Sequence, residues 1–319
     1  MISQIRGAAR RGANRAVLTG IGDDCAVLRT PVKRGQTEDI LVTTDFSLEN
    51  VHFRREWHSP ESVGHRCLAR GLSDIAAMGG KPVAAFLSLA LPKKIPQSWV
   101  NRFTRGLLKL AEKCGCTLAG GDTAESPGGI LADIIVVGAV PKGKAILRST
   151  ARPGDRIYVT GELGGSAAAL ANMRRDGKQK LNPRQYARHF FPEPRIEVGR
   201  ILREKGLASA MIDTSDGLST DLAHICEESG VGAEIVADAI PRASIGKPAH
   251  EVDFDFALHG GEDYELLFTA PRSKRVPANI AGVWVTEIGR IVRGRTLLLK
   301  NAAGDVRELK AQGWEHFRE

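Results

Sequence analysis

Residues 208–217 read ASAMIDTSDG, a short apolar run that passes directly into an acidic, serine-containing turn. The run predicts a buried strand, and the periodic segment after the turn predicts a helix over residues 220–228. Two other apolar stretches lead to an acid in the same way, ILVTTD at 40–45 and CTLAGGDT at 116–123. Strands that alternate with helices along the whole chain predict an α/β or α+β fold.

Two helices in the first half of the chain have clear sequence boundaries. Ser59 and Pro60 provide an N-cap and a first helical residue, and the helix that they begin ends near residues 79–80. The next helix carries an apolar stripe and ends before Gly115, which is a typical C-terminal glycine.

The length of 319 residues is sufficient for two domains, each with its own core. Residues 141–155 mix proline, glycine, lysine and arginine, a composition that favours a boundary. We therefore predict an N-terminal domain over residues 1–148 and a C-terminal α/β domain over residues 149–319.

The bulk composition excludes several classes of protein. The net charge of +8 is compatible with a nucleic-acid partner, but the lysines and arginines are scattered and no recognition motif accompanies them. No apolar run reaches the roughly 20 residues that span a bilayer. The five cysteines form an odd count without a CxxC pair, which argues against disulfides and structural zinc. We expect a cytoplasmic protein without a nucleic-acid or membrane partner.

Acidic residues recur where apolar strands or glycines end. These residues are Asp23, Asp24, Asp45, Asp122, Asp213, Asp216, Glu262 and Asp263. A single aspartate in such a turn is usually an ordinary cap, but a recurrent arrangement is harder to explain in that way. Carboxylates that converge repel each other unless cations neutralise them. Hard oxygen ligands without histidine or cysteine favour Mg²⁺ or Ca²⁺.

Paired glycines lie beside the acids at 20 and 22, at 120 and 121, and at 260 and 261. Glycine turns allow the backbone to approach a phosphate closely. Together with the acids, they indicate a nucleotide polyphosphate bound through metal. The usual nucleotide motifs are absent from the sequence: GAVPKGK at 138–144 resembles a P-loop, but Ala145 occupies the position of the required Ser or Thr.

These motifs taken together resemble the thiamine-monophosphate kinase family. The matching segments, in family order, are GIGDDCAVL (20–28), TTD (43–45), VHF (51–53), LSDIAAMGG (72–80), AGGDT (119–123), LRSTARPGD (147–155), IDTSDGLSTDL (212–222), GGEDYELLFT (260–269) and GWEHF (313–317). The resemblance implies the two-domain fold of the aminoimidazole-ribonucleotide-synthetase superfamily. It also implies a homodimer in which the N-terminal strands of both chains build a shared β-barrel.

The resemblance further implies direct transfer of the ATP γ-phosphoryl group to thiamine monophosphate, with several Mg²⁺ ions. The implied Mg²⁺ ligands are Asp24, Thr43, Thr44, Asp45, Asp74, Asp122, Asp213 and Asp216. The implied ATP-binding residues are Gly121, Asp122, Arg148 and Ser215. The implied substrate-binding residues are His52, Glu262 and Trp314. Asp45, Asp122 and Asp213 are the expected catalytic residues, which act through metal.

Other interpretations stay open for four of these residues. His52 is equally consistent with an ordinary imidazole, Trp314 with a packing anchor, Arg148 with a linker charge and Ser215 with a helix cap. The competing functions are another ATP-using enzyme of the same superfamily and a non-catalytic nucleotide-binding paralogue. The large number of acids argues against the paralogue, because a protein that only binds nucleotide needs few metal ligands.

The sequence departs from the family pattern in three places. These are the FSLEN segment at 46–50, Gly71 where asparagine is expected, and the arginine-rich N-terminus. The departures affect the expected dimer packing and substrate fit more than the expected metal site.

Overall fold

A computed structural model describes residues 16–20, 22–29, 37–176 and 181–314. The first half forms a six-stranded sheet with the strand order β1-β2-β3-β6-β4-β5. Its strands are β1 (Val17–Thr19), β2 (Ala26–Leu28), β3 (Glu38–Leu48), β4 (Lys81–Leu91), β5 (Thr117–Glu125) and β6 (Leu131–Pro141). All neighbouring strands pair antiparallel except β4 and β5, which are parallel.

Two helices cover one face of this sheet, α1 (Pro60–Ala77) and α2 (Gln97–Cys114). The predicted N-cap is confirmed, since the Ser59 side chain accepts a hydrogen bond from the backbone N–H of Ser62. The predicted helix end is also confirmed, since Gly115 adopts a left-handed conformation with φ of 64°. The opposite face of the sheet, which we call the outer face, includes the side chains of Thr44, Phe46 and Phe86 and is exposed.

The second half is built on a mainly antiparallel sheet with the strand order β16-β15-β9-β14-β7-β12-β8. The strands of this half are β7 (Arg156–Thr160), β8 (Ala210–Asp213), β9 (Gly232–Val236), β10 (Ser244–Ile245), β11 (His250–Glu251), β12 (Leu266–Ala270), β13 (Asn279–Ile280), β14 (Val283–Val292), β15 (Leu297–Lys300) and β16 (Val306–Glu308). Strand β13 pairs with β14, and β10 and β11 form a separate two-stranded sheet within the described residues.

Five helices accompany these strands among the described residues of the second half. They are α3 (Gly165–Asp176), α4 (Ala187–Phe190), α5 (Ile196–Glu204), α6 (Leu218–Ser229) and α7 (Phe254–His259). The strand and helix predicted around residues 208–228 are thus confirmed as β8 and α6. Short 3₁₀ turns occupy Arg148–Thr150 and Ala237–Ala239.

Helix α1 joins the two halves. Its first turns pack on the N-terminal core, whereas Ala76 and Ala77 belong to the apolar cluster of the second half. Close approach to α5 depends on Gly199, because a Cβ atom there would lie 2.1 Å from the Ala76 carbonyl oxygen. The position of α1 therefore fixes how the two sheets face each other.

Two sequence predictions on the position of acids were wrong. Asp45 does not end its strand, since β3 continues to Leu48 with Asp45 opposite Ile134. Asp122 does not lie in a turn, since β5 runs through it to Glu125. The backbone pairing of β3 with β6 and of β5 with β4 continues beyond the apolar residues. Polar side chains can occur in these parts of the strands because one side of the sheet is exposed.

The N-terminal sheet is open within the described residues, because β1 and β5 lie at its two ends. None of the helices that the structure describes is long and apolar enough to cross a membrane. The arginine-rich residues 1–15 and the last three residues of the GWEHF segment lie outside the described residues.

The contact between α1 and α2 predicts a stability effect. A Cβ atom at Gly106 would lie 2.0 Å from the Glu61 carbonyl oxygen, and one at Gly64 would lie 2.0 Å from the Phe103 carbonyl oxygen. Gly106→Ala should lower the free energy of unfolding by about 2 kcal/mol, since the strain of overpacking exceeds the gain in helix propensity. Urea denaturation measures this change.

Gly128→Ala is the matched control, because a Cβ atom at Gly128 meets no atom within 4 Å. Its unfolding free energy should stay within about 0.5 kcal/mol of that of the wild type. Equal stability of the two variants would contradict the tight helix contact.

Candidate active site

Three aspartates from distant parts of the chain meet where the two halves face each other. Asp24, Asp74 and Asp213 each offer a carboxylate oxygen, and these oxygens all lie within 4.8 Å of one another. Asp24 precedes β2, Asp74 lies on α1 and Asp213 is the last residue of β8. We call this group the acidic cluster.

Each carboxylate of the acidic cluster has a hydrogen-bond donor from a neighbouring element. Ser73 Oγ donates to Asp213 Oδ2 at 2.6 Å, and Thr43 Oγ1 donates to Asp74 Oδ2. Arg148 binds both oxygens of Asp24, from Nε and Nη2, at 2.9 Å each. These bonds orient the carboxylates toward a common point. Arg148, which was predicted to bind ATP, is therefore bound to Asp24 in this structure.

Burial and mutual repulsion raise the pKa values of Asp74 and Asp213. Burial, followed by the charge of Asp24, raises the pKa of Asp213 to about 8. Burial, followed by the charges of Asp45 and Asp213, raises the pKa of Asp74 well above its usual range. Burial also raises the pKa of Asp45, although the Arg70 guanidinium opposes that rise. A bound divalent cation would relieve the repulsion among these carboxylates.

The donor set fits magnesium. The acidic cluster offers carboxylate oxygens and no histidine or cysteine among the described residues, which matches a hard divalent cation. A Mg²⁺ ion is usually held by one or two carboxylates plus waters and substrate phosphates. The cluster therefore has the chemistry of a site shared between protein and phosphate ligands.

A cleft of about 500 Å³ opens beside the acidic cluster. The predicted site residues that line it are His52, Asp45, Asp74, Asp213, Ser215, Asp216, Glu262 and Trp314. We call the aspartates of this lining the metal end of the cleft, and we call His52, Glu262 and Trp314 its second wall. Such a cavity has the size of an ordinary small-molecule site.

The backbone ties the second wall of the cleft to the acidic turn after β8. The Trp314 N–H donates to the Asp216 carbonyl at 3.0 Å, and the Glu262 N–H donates to the Ser215 carbonyl at 2.8 Å. Gly313 makes this contact possible, because a Cβ atom there would lie 2.1 Å from the Asp216 carbonyl oxygen. Backbone hydrogen bonds thus connect the metal end of the cleft to the wall that holds Trp314.

Glu262 is held by two arginines of α1. Its Oε1 accepts hydrogen bonds from Arg66 Nη2 at 2.7 Å and from Arg70 Nη2. Burial opposes ionisation of this carboxyl, but the two guanidiniums hold its pKa well below the usual range. Glu262 also has a positive φ of 67°, which the surrounding contacts maintain.

Six predicted site residues are not among those that line the cleft. Asp24, Thr43 and Arg148 take part in the bonds of the acidic cluster described above, and the other three lie elsewhere on the N-terminal sheet. Thr44 lies on the outer face and its Oγ1 donates to Asp133 at 2.7 Å. Gly121 and Asp122 lie on β5, three strand positions or roughly 14 Å from β3. A Cβ atom at Gly121 would lie 1.8 Å from the Leu87 carbonyl oxygen, so glycine is required there by the packing of β5 on β4.

Sequence reasoning missed several residues that complete the site. Ser73 orients Asp213, while Arg66 and Arg70 hold Glu262. A signal was present, because Arg66 and Arg70 precede Asp74 by eight and four residues and so share one face of a helix. This spacing of four residues predicts that the three charged side chains form a stripe along the helix and face the same neighbouring part of the fold.

Comparison with known proteins identifies the family. The description "AIR synthase related protein, N-terminal domain" matches residues 22–169, and its C-terminal counterpart matches residues 152–298. The thiamine-monophosphate kinase of Salmonella typhimurium is 39% identical over 291 residues, which cover 88% of this chain and 86% of that protein. The thiamine-monophosphate kinase of Bacillus subtilis is 35% identical over 318 residues, with 95% and 94% covered.

The chain belongs to the thiamine-monophosphate kinase family.

A solved structure of this kinase family has the same two-domain architecture. It is AaThiL complexed with AMPPCP and TMP, which is 31% identical to this chain with a TM-score of 0.84. The match covers 99% of this chain and 96% of that structure. The two-domain AIR synthase-like fold of the chain therefore corresponds to that of a thiamine-monophosphate kinase.

A buried histidine pair supports one wall of this kinase-family cleft. His58 Nε2 lies 2.9 Å from His189 Nε2, and His189 Nδ1 lies 2.9 Å from Ser166 Oγ. Burial, followed by the positive charge of Arg66, lowers the pKa of His58 to about 4. Burial likewise lowers the pKa of His189 well below its usual range. Both rings are therefore neutral at physiological pH.

This pair predicts a pH effect on stability. The pKa of His58 is lower in the folded chain than in the unfolded chain, so the unfolded state binds more protons and stability is lost as the pH falls below about 6.5. Between pH 7 and pH 5 this group should account for about 2 kcal/mol of lost unfolding free energy. His58→Gln should lose that much less than the wild type over the same range in urea denaturation.

The exposed His250 provides the control, and His250→Gln should keep the pH dependence of the wild type. The same pH dependence in His58→Gln and the wild type would contradict the neutral, buried pair.

Proposed function

We propose that this protein transfers the γ-phosphoryl group of ATP to the phosphate of thiamine monophosphate and so forms thiamine diphosphate. The observation that carries the proposal is the acidic cluster beside a cleft whose second wall contains His52, Glu262 and Trp314, in a chain of the thiamine-monophosphate kinase family. The complex of AaThiL with AMPPCP, an ATP analogue, and TMP supports the same pair of substrates. The alternative of a non-catalytic paralogue has no observation in its favour.

The proposed metal ligands are the acidic cluster together with Asp45 and Asp216, which line the same cleft. Bound Mg²⁺ would neutralise the charge of the reacting phosphates. Thr43 supports this arrangement through its bond to Asp74. Thr44 and Asp122 remain predicted ligands, although Thr44 donates to Asp133 and both residues lie away from the cleft.

The proposed substrate wall consists of His52, Glu262 and Trp314. The Leu48 N–H donates to His52 Nδ1 at 3.0 Å, which fixes the imidazole at the cleft. The Trp314 indole lines the cleft and is 48% exposed, which suits stacking on an aromatic ring of thiamine. The proposed nucleotide-binding residues are Gly121, Asp122, Arg148 and Ser215.

The chemistry requires alignment more than a reactive side chain. Phosphoryl transfer proceeds through a loose transition state, and its barrier falls when the two phosphates are aligned and their charge is balanced. The attacking phosphate oxygen is already ionised at neutral pH, so no protein nucleophile is needed. We propose that Asp45, Asp122 and Asp213 act by holding metal.

We also propose that two chains form a homodimer through the outer face of the N-terminal sheet, with the strands of both chains building a shared barrel. Large apolar side chains are exposed on this sheet, with Phe46 at 54%, Val83 at 49% and Phe86 at 38%. Several large exposed apolar side chains on one sheet are typical of an interaction site. The register places Asp122 beside Ser88 on the same sheet, so a dimer would bring a second chain near it.

The proposed domain boundary lies at residue 148, within the segment that links β6 to β7. The first sheet ends before this residue and the second begins after it. We propose a cytoplasmic location, which is consistent with five free cysteines.

The catalytic proposal is tested by product formation with Mg-ATP. Thiamine diphosphate should form from thiamine monophosphate and not from free thiamine, because the acceptor is a phosphate oxygen. Asp45→Asn and Asp122→Asn should each lower kcat by about 100-fold or more and raise the Mg²⁺ concentration that gives half-maximal rate. Chromatographic separation of thiamine phosphates measures both effects.

Asp238→Asn serves as the control, because Asp238 is exposed in the second half and far along the chain from these acids. Its turnover should match that of the wild type. Near-normal turnover in both Asp45→Asn and Asp122→Asn would refute their role through metal.

The dimer proposal predicts a mass of twice the 34.4 kDa chain in solution. Phe86→Arg should convert the dimer to monomer, since a charge would be buried without a partner at the interface. Light scattering after gel filtration measures the mass. Trp284→Arg is the matched control, because Trp284 is 68% exposed but belongs to the C-terminal sheet. A monomeric wild type, or a dimer that persists in Phe86→Arg, would contradict the proposed interface.

A further inference from the structure

Three arginines line the cleft, and they differ sharply in their surroundings. The Arg54 guanidinium stacks over the Trp57 ring at 4.5 Å and its side chain is 45% exposed. Arg174 is exposed on α3. Arg70 has only 12% of its side chain exposed. Arg70 is therefore the cleft arginine whose charge is least screened by solvent and acts most strongly on a bound anion.

Arg70 lies between Asp74 of the metal end and Glu262 of the second wall. It precedes Asp74 by one turn of α1, a rise of roughly 6 Å, so both side chains lie on the same face of the helix. On its other side, Arg70 Nη2 donates to Glu262, and Nη1 donates to the Phe46 carbonyl at 3.4 Å. The guanidinium is thus held between the acidic cluster and the substrate wall.

A thiamine monophosphate molecule in this cleft would present its phosphate at the position of Arg70. If the thiamine rings lie against Trp314 and Glu262, and ATP phosphates lie at the acidic cluster, the acceptor phosphate must lie between them. The acidic cluster repels this dianion, and a fixed cation there offsets the repulsion. A guanidinium has five N–H donors, of which two serve the bonds to Glu262 and Phe46.

We propose that Arg70 binds the phosphate of thiamine monophosphate and thereby selects the phosphorylated form of the vitamin over free thiamine. This inference rests on the proposed function and assigns one residue to the recognition of the acceptor phosphate. Arginine suits the role, because its planar fork matches phosphate oxygens and its charge does not vary with pH.

Arg66 provides an internal comparison. It also donates to Glu262, at 2.7 Å, but its other partner is the His189 carbonyl and its side chain is only 3% exposed. Arg66 is not among the residues that line the cleft. Replacement of a residue that only holds Glu262 should therefore change ligand affinity in the same way as replacement of Arg66. Replacement of a residue that binds phosphate should change it differently.

The experiment measures the dissociation constants of thiamine monophosphate and of free thiamine by calorimetry, with Mg²⁺ and AMPPCP present. For Arg70→Met we expect thiamine monophosphate to bind about 30-fold more weakly, whereas the affinity for thiamine changes less than about threefold. Arg70→Lys should lose about three- to tenfold for the monophosphate alone, since charge remains but the fork is lost. Arg66→Lys should weaken both ligands by the same factor.

Equal weakening of both ligands in Arg70→Met, or no weakening of either, would overturn the assignment and leave Arg70 as a support for Glu262. If Arg70→Met does not fold, as judged by its thermal transition, Arg70→Lys decides by the same comparison. Failure of the proposed function is distinguishable, because the wild type would then form no thiamine diphosphate from Mg-ATP and thiamine monophosphate.

Discussion

The constraint on which the site depends is the repulsion among carboxylates that the fold buries together. Asp24, Asp74 and Asp213 come from three elements in both halves of the chain, and their oxygens lie within 4.8 Å of one another. Folding alone gains nothing from such an arrangement, since buried like charges raise each other's pKa and cost stability. Donors such as Ser73 and Arg148 offset part of this cost. Divalent cations that also bind phosphates would offset the rest of this cost.

Helix α1 is the element that satisfies this constraint. One face of the helix packs on the N-terminal sheet, its last turn enters the C-terminal core, and a third face lines the cleft. On that third face Arg70 is followed one turn later by Asp74, so positive charge gives way to negative charge along the helix. The helix therefore sets both the spacing of the two sheets and the electrostatic gradient of the cleft.

The sequence permitted accurate prediction wherever local chemistry determines structure. The cap at Ser59 and the end at Gly115 depend on local backbone bonds, and both were predicted correctly. Asp45 and Asp122 were assigned to turns because polar residues follow the apolar runs, but pairing with neighbouring strands extends β3 and β5 through them. The contact of Arg70 with Glu262 joins residues 192 positions apart in the sequence. It follows from tertiary packing, which no local sequence pattern predicts.

The bond between the Trp314 N–H and the Asp216 carbonyl has a consequence for how the cleft can vary. The backbone makes this bond, so it does not depend on the side chain that residue 314 carries. Trp314 follows every strand that the structure describes, and its side chain is 48% exposed and belongs to neither hydrophobic core. A different side chain at this position would therefore change the surface offered to a bound molecule and leave both sheets as they are.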